Sequence, residues 1–408
     1  MPTTSYHIPL STHDSTATGK MQRTPAQHRH VEPALRLHAY LQEHHWNGQT
    51  LSGPDPGIRF NYRLGRFAKS YLRWLPWNDD YYYLQAQGYW ALSNWCLFEQ
   101  TGEQHYYEVA NRCSVQMRAQ QRDDGAWEYP NREWTGRIAT AEGTWAALGL
   151  LESYRHTRDP QFLDSALRWH RFLLETIGFQ RNGDQLAVNY FAHRADERVP
   201  NNTVFVLRFL AELSNATHDD TYLNPVAELL NFLRFVQQPN GEFPYTVAGA
   251  APCTPRLHFQ CYQYNAFQCL DLLRYYEISQ DSAVVPLVTR VAAFLSSGVA
   301  TDGHALYECG NSYRQVTYHA AAVAAALTRA DQIEDGNYAA VARRAYAYVL
   351  DRQRENGSFS YSHGDYRLLS DQRSYPRYLS MILYHLLLPN SRSVTLDLRK
   401  GDTHVPVR

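Results

Sequence analysis

The 408-residue chain has no run of eighteen apolar residues, so no membrane-spanning helix is expected. Its first thirty residues are polar and rich in His, Ser and Thr. They lack the apolar stretch of roughly 7–15 residues that a secretory signal requires, which points to a cytoplasmic protein. Lys and Arg total 39 against 40 Asp and Glu, and without a basic excess nucleic acid is not expected as a partner. The six cysteines, Cys96, Cys113, Cys253, Cys261, Cys269 and Cys309, form neither a CxxC pair nor a zinc-finger spacing. They read as buried free thiols in a reducing compartment. HExxH, GxSxG, Walker A and Rossmann glycine patterns are also missing. No metal and no cofactor is therefore expected.

What the chain does have is aromatic side chains and a repeat. Thirty Tyr and nine Trp are a heavy load of rings with polar edges, suited to inter-helix packing or to a cavity in which rings stack on apolar faces. Six times a glycine introduces a short aromatic turn ending in tyrosine: Gly57 to Tyr62, Gly125 to Tyr129, Gly183 to Tyr190, Gly241 to Tyr245, Gly303 to Tyr307 and Gly357 to Tyr361. The glycines are 68, 58, 58, 62 and 54 residues apart. That period is too long for tetratricopeptide or ankyrin units and fits one helical hairpin plus a long loop.

Helical patterns fill the intervals. First helices near 80–100, 138–156, 201–216, 258–278, 313–330 and 373–388 are apolar on most sides, which marks them as buried. Second helices near 103–121, 160–178, 220–237, 282–297 and 337–353 are two-faced, and a helix near 31–46 supplies a sixth. The pattern predicts about twelve helices, six inner and six outer. Links from inner to outer helices are short and carry acidic capping signals, as in Asp159 before Phe162. Links from outer to inner helices are long and carry the aromatic turns. Long loops on one rim of a rigid scaffold are where sites usually sit, so the expected mouth is the rim bearing the inner-helix N-termini. Residues 1–32 and 391–408 read as tails flanking one domain at 33–390.

This repeat resembles the all-α (α/α)6 toroid shared by six-hairpin glycosidases, unsaturated-uronide hydrolases, sugar 2-epimerases and some polysaccharide lyases. Three segments, Gln121 to Trp127, Gln237 to Phe243 and Gln353 to Phe359, are also similar to the QW motif of squalene-cyclase-type repeats and imply structural staples. Ala86-Gln87-Gly88 and Glu128-Tyr129-Pro130 resemble patches of the glucuronyl C5-epimerase helical module. That resemblance implies Glu128 and Tyr129 as proton-handling residues.

Sugar chemistry calls for paired carboxylates, or a carboxylate with Tyr or His. Asp79 and Asp80 are expected to open the first inner helix, as a cap or as catalytic acids. Glu142 lies one turn into a nearly apolar inner helix, where a carboxylate must be paired, lumen-facing or shifted in pKa. His258 begins a start too polar for a simple core, with Tyr262 and Gln263 following. Asp80, Glu128, Tyr129, Glu142 and His258 are thus the candidate catalytic groups. Asp79, Tyr82, Trp127, Trp145, Tyr190, Tyr245, Tyr262, Gln263, His319 and Tyr361 are candidate substrate contacts. Arg373 and Arg377, at the last inner-helix start, could clamp a carboxylate or phosphate.

The expected function is a hydrolase, lyase or epimerase acting on a glycan or uronic-acid-containing saccharide, with a small-molecule or oligosaccharide partner. An isoprenoid cyclase-like enzyme is the alternative suggested by the QW spacing, although its aspartate motifs are missing. A non-catalytic glycan-binding toroid is the other. A lumen lined by carboxylates and Arg would favour sugars, and one lined by Phe, Trp and Leu with a single acid would favour terpenoids.

Overall fold

A computed structural model describes residues 25–56, 63–128, 134–249, 254–334 and 337–390. Tyr129 and the first aromatic turn, 57–62, lie outside the described residues.

Six helices form an inner ring: α3 (Leu84–Thr101), α5 (Thr140–Thr157), α7 (Pro200–Thr217), α9 (Cys261–Ser279), α11 (Thr317–Glu334) and α13 (Pro376–Leu387). Each packs on the next, and α13 packs back on α3, closing the ring. They are apolar nearly all round because both sides are covered; Ala320 through Leu327 of α11 have no exposed surface. Small residues let the backbones approach. A Cβ on Gly88 of α3 would lie 2.5 Å from the Trp145 carbonyl oxygen of α5.

The outer ring is α4 (Gln104–Ala119), α6 (Pro160–Phe172), α8 (Val226–Val236), α10 (Val285–Ser297) and α12 (Ala339–Leu350), each against its own inner partner. α1 (Pro25–His44) covers α13 as the sixth outer helix. These helices are two-faced; α6 buries Phe162, Ala166, Trp169 and Phe172. A short α2 (Arg63–Tyr71) belongs to neither ring.

The glutamines of the three QW-like segments act as staples. Gln121 Nε2 donates to Gly125 O (2.8 Å) and to Ser165 O of α6 (2.9 Å). Gln237 does the same with Gly241 O and Leu287 O, both at 3.1 Å. Gln353 donates to Gly357 O (3.0 Å) and to Pro33 O of α1 (2.7 Å), tying the last turn to the first helix. Gly357 has φ +84°, and a Cβ there would lie 2.3 Å from the Arg36 carbonyl oxygen, so the turn accepts only glycine at that packing distance.

The long rim loops satisfy their backbones by pairing into strands that the helical pattern did not foretell. β1 (Ser52–Gly53) pairs with β2 (Tyr81–Tyr82). β3 (Phe179–Asn182), β4 (Gln185–Phe191), β5 (Arg194–Arg198), β6 (Thr246–Ala248) and β7 (Thr254–Arg256) form one antiparallel sheet in chain order. β8 (Gln315–Val316), β9 (Ser362–Asp365) and β10 (Leu369–Asp371) form another. Gly183 therefore differs from the expected aromatic turn. It sits with Asp184 in the tight loop between Asn182 and Gln185, at φ +59°.

Candidate functional site

At the inner-helix N-termini, three helices and one loop converge on Arg377. The α3 N-cap, Tyr83, makes no side-chain cap bond. Glu142 of α5 serves instead: its Oε2 accepts from the Gln85 N–H at 3.0 Å, where the helix dipole favours a negative group. Burial pushes the Glu142 carboxyl above the ordinary carboxylate range, opposed by Arg377 and by backbone N–H groups of Gln85 and Leu84. The Arg377 guanidinium donates to Gln85 Oε1 at 2.7 and 3.2 Å and lies over the Tyr83 ring. It stands 3.9 Å from Glu142 and, through its other terminal nitrogen, 3.9 Å from the buried Asp55. Asp55 also helps raise the Glu142 pKa. The sequence reading missed Asp55. Its only signal there was an acid between two prolines, Pro54 and Pro56, in a rim loop.

Rings surround this cluster. Tyr378 lies 4.5 Å from Tyr318 and 5.0 Å from Tyr361, and Tyr245 lies 5.0 Å from Tyr264 and 4.6 Å from Phe259. Burial raises the Tyr264, Tyr318 and Tyr378 phenols well above their ordinary value, so they remain neutral hydroxyls. His319 stacks on Tyr307, and burial, then Arg314, keeps it uncharged. Several buried polar atoms on the first turns of the inner helices have no protein partner: Thr144 Oγ1, both amide atoms of Asn202, Gln263 Oε1 and His319 Nδ1. The Tyr82 hydroxyl on β2 is another. Such groups normally meet water or ligand.

The opposite end of the ring holds a cavity of about 370 Å³ to which all six inner helices contribute. Its polar lining comprises Arg155, Arg208, Arg274 and Arg329 with Glu99, Glu152, Glu212, Asp271 and Glu277. Arg208 bonds Asp271 at 2.7 Å, Arg274 bonds Glu212 at 2.7 Å, Arg155 bonds Glu99 at 2.6 Å, and Arg329 pairs with Glu277. Burial raises Asp271 to about 6 despite Arg208 and lowers His385 to about 3. The stacked pair Tyr89–Trp145, with centroids 4.1 Å apart, also lines this cavity.

No family model and no curated protein sequence matches this chain. Solved structures do. Cellobiose 2-epimerase from Bacillus thermoamylovorans superposes with a TM-score of 0.68 at 14% identity, over 88% of this chain and 98% of that one. A possible member of the GH105 family from Salmonella enterica serovar Paratyphi A gives 0.66 at 12%, over 93% and 98%. A glycoside hydrolase family 76 mannosidase from Bacteroides thetaiotaomicron gives 0.63 at 11%, over 89% and 98%.

The chain has the (α/α)6 toroid fold of six-hairpin glycosidase-like proteins.

Within this toroid the sequence-predicted residues separate. Glu142, Arg377, Tyr245, His319 and Tyr361 lie at the mouth, with Tyr82 and Gln263 contributing the unpartnered atoms noted above. Asp79 and Asp80 do not open the first inner helix, which begins at Leu84 after the β1–β2 pairing. Asp79 accepts from Trp77 Nε1 at 2.7 Å and faces Lys69, and Asp80 is exposed. Glu128 is an exposed partner of Arg122 at 3.0 Å. Trp127 is a buried staple donating to Met117 O at 2.8 Å. Trp145 lines the far cavity rather than the mouth. Tyr190 packs on Phe191 in β4, and Tyr262 stacks on Phe294 of the outer helix α10. Arg373 spends its guanidinium on the carbonyls of Lys69, Leu72 and Leu75, which fixes the segment after α2. His258 pairs with the buried Glu242 at 2.9 Å. The sequence reading missed the far-end charges because they fall in the middle and C-terminal turns of apolar helices, as Arg208 and Glu212 of α7 and Asp271, Arg274 and Glu277 of α9, where they look like solvated helix ends.

Among the described residues two groups have the spacing to hold a metal ion: His258, Cys261 and Cys309 at the rim, and Glu99, Glu152 and His156 at the far end. The second is already engaged, since Arg155 bonds both of its carboxylates.

Proposed function

We propose that this toroid is a carbohydrate-active enzyme working by carboxylate acid–base chemistry at the mouth formed by its inner-helix N-termini. The observation that carries the reading is the pair Asp55 and Glu142, each 3.9 Å from the one guanidinium of Arg377. A shared cation keeps two carboxylates within the separations of about 5–10 Å used for glycosidic chemistry. Glu142, whose carboxyl burial moves upward, is assigned as the general acid, and Asp55, facing the cation, as the base. The half-buried tyrosines give stacking faces and hydroxyls to a sugar ring. The mouth carries two carboxylates and an arginine rather than an apolar wall with one acid, which favours a saccharide over an isoprenoid substrate. The superposed structures include a sugar epimerase and a mannosidase, in keeping with that class.

The test is product analysis in deuterated water with cellobiose, manno-oligosaccharides and unsaturated uronyl disaccharides. Hydrolysis appears as new reducing ends, and epimerisation as deuterium at an inverted carbon. Glu142→Gln and Asp55→Asn should each abolish turnover in folded protein. Full activity in both variants would remove the assignment of the pair. Saccharide binding without turnover by the unaltered chain would make the toroid a binding protein.

A further inference from the structure

A second constellation lies on the same rim but in its wall. His258, Cys261 and Cys309 each offer a ligand atom, and these atoms all lie within 4.8 Å of one another. The two sulfurs are 3.5 Å apart, and both thiols are free. A tetrahedral zinc with bonds of about 2.3 Å to sulfur holds its thiolates about 3.8 Å apart, so the cysteines stand close to that spacing already. Two thiolates and an imidazole are a soft donor set that selects zinc over oxygen-preferring cations.

Two further features support a built site. The Glu242 carboxylate, itself buried, accepts from the His258 backbone N–H at 2.7 Å and contacts its ring Nδ1 at 2.9 Å. A carboxylate that orients an imidazole from behind is the usual support for a zinc-bound histidine. The backbone is also bent to bring the donors together. His258 and Gln260 both hold positive φ, +61° and +44°, which non-glycine residues adopt only when their surroundings enforce it.

We infer that His258, Cys261 and Cys309 form a zinc site that clamps the loop before α11 to the start of α9. The site belongs to the walls of the mouth, because Tyr262, next to Cys261 and 3.7 Å through its hydroxyl from Cys309 Sγ, stacks on Phe294 of the outer helix α10. It needs no substrate and stands whether or not Asp55 and Glu142 are catalytic. The spacing escaped the sequence reading because His258 and Cys261 are three residues apart while Cys309 arrives from the next hairpin.

The experiment uses the full chain without a histidine tag, purified under reducing conditions without chelator. Elemental analysis should find one zinc per chain. Replacement by cobalt should give the intense thiolate-to-cobalt absorption of a tetrahedral site. Cys261→Ser, Cys309→Ser and His258→Gln should each lose the bound equivalent, whereas Cys96→Ser should keep it. His258 is half exposed but pairs with the buried Glu242, so circular dichroism confirms that His258→Gln stays folded before its metal content is read. Failure of the reduced chain to take up zinc or cobalt would overturn the site. So would a Cys261–Cys309 disulfide in the isolated protein, or a cobalt spectrum unchanged in Cys309→Ser.

Discussion

At the mouth, one guanidinium stands 3.9 Å from each of two carboxylates. At the far end of the same lumen, four arginines face five acids, and most of the pairs are hydrogen-bonded at 2.7 Å or less. The far-end pairs also run between neighbouring helices: Glu99 of α3 to Arg155 of α5, Arg208 and Glu212 of α7 to Asp271 and Arg274 of α9, Glu277 of α9 to Arg329 of α11. They are bonds across the seams of the inner ring, and the helix C-termini there favour the arginines. The mouth has longer charge pairs and half-buried rings, and buried polar atoms without a protein partner occur at both ends, Thr144 Oγ1 and Gln263 Oε1 at the mouth and Asp271 Oδ2 and Arg208 Nε at the far end. Charges held at 3.9 Å beside stacking rings in a polar opening are the arrangement expected of a working site, whereas short ion pairs across helix seams are expected of a frame.

The strongest way to break that contrast is to move the chemistry. Glu142→Gln should lower turnover by at least about 100-fold, the usual contribution of a general acid, while Asp271→Asn leaves the turnover of folded protein near its starting value. The opposite ranking, measured as kcat on the same saccharide, would make the far cavity the active site.

Stability should rank the two ends the other way. Arg208→Met leaves Asp271 buried without its cation and should cost about 3–5 kcal/mol in denaturant unfolding. Arg208→Met combined with Asp271→Leu should recover much of that loss, since an apolar pair carries no desolvation debt. A cost under about 1 kcal/mol for the single change would mean that solvent already reaches the pair.

Each end also contains one carboxyl held near pH 6. Burial raises Asp271 at the far end and Asp371, in the rim strand β10, to about 6, Asp371 while accepting from the Tyr375 hydroxyl at 2.7 Å. A folded-state pKa above the unfolded one means that the native state binds the extra proton. The resulting stabilisation is complete below about pH 4 and lost as pH rises through about 6, and amounts to roughly 3 kcal/mol per group. Unfolding free energies from pH 4 to 7 should therefore flatten in Asp271→Asn and in Asp371→Asn relative to the unaltered chain. A flattening in Asp371→Asn alone would mean that Arg208 keeps Asp271 ionised throughout, sharpening the view of the far end as a set of ion pairs.

How far this was legible in sequence differs between the ends. The repeat of glycine turns, the all-round apolar helices and the capping acids foretold both rings, since helical periodicity is a local property that burial then reinforces. Glu142 was legible for the same reason, as a lone acid one turn into an apolar helix. Arg377 was legible as a cation at a helix start. Asp55 was not, because its importance comes from the fold of a loop onto a helix more than three hundred residues away. The far-end network was hidden likewise. Its charges fall in the middle and later turns of five different helices, and only ring closure shows that they align. The rim strands were missed because their segments are short and lie in loops, and because pairing between loops leaves no period in either one.

The smallest expected effect concerns the corners on the far side. Asp159 Oδ1 accepts from the Gln161 N–H at 3.0 Å and caps α6, with Pro160 preset for the first helical position. Asp159→Ala should cost about 1 kcal/mol of unfolding free energy, the typical value of an N-cap, with an unchanged denaturant slope. Turnover should stay constant, because this corner lies at the inner-helix C-terminal end and the proposed chemistry is a helix length away. A fall in turnover at constant fold would mean that the short corners set the geometry of the mouth through the inner helices. The two ends would then act as one mechanical unit, not as a frame and a site.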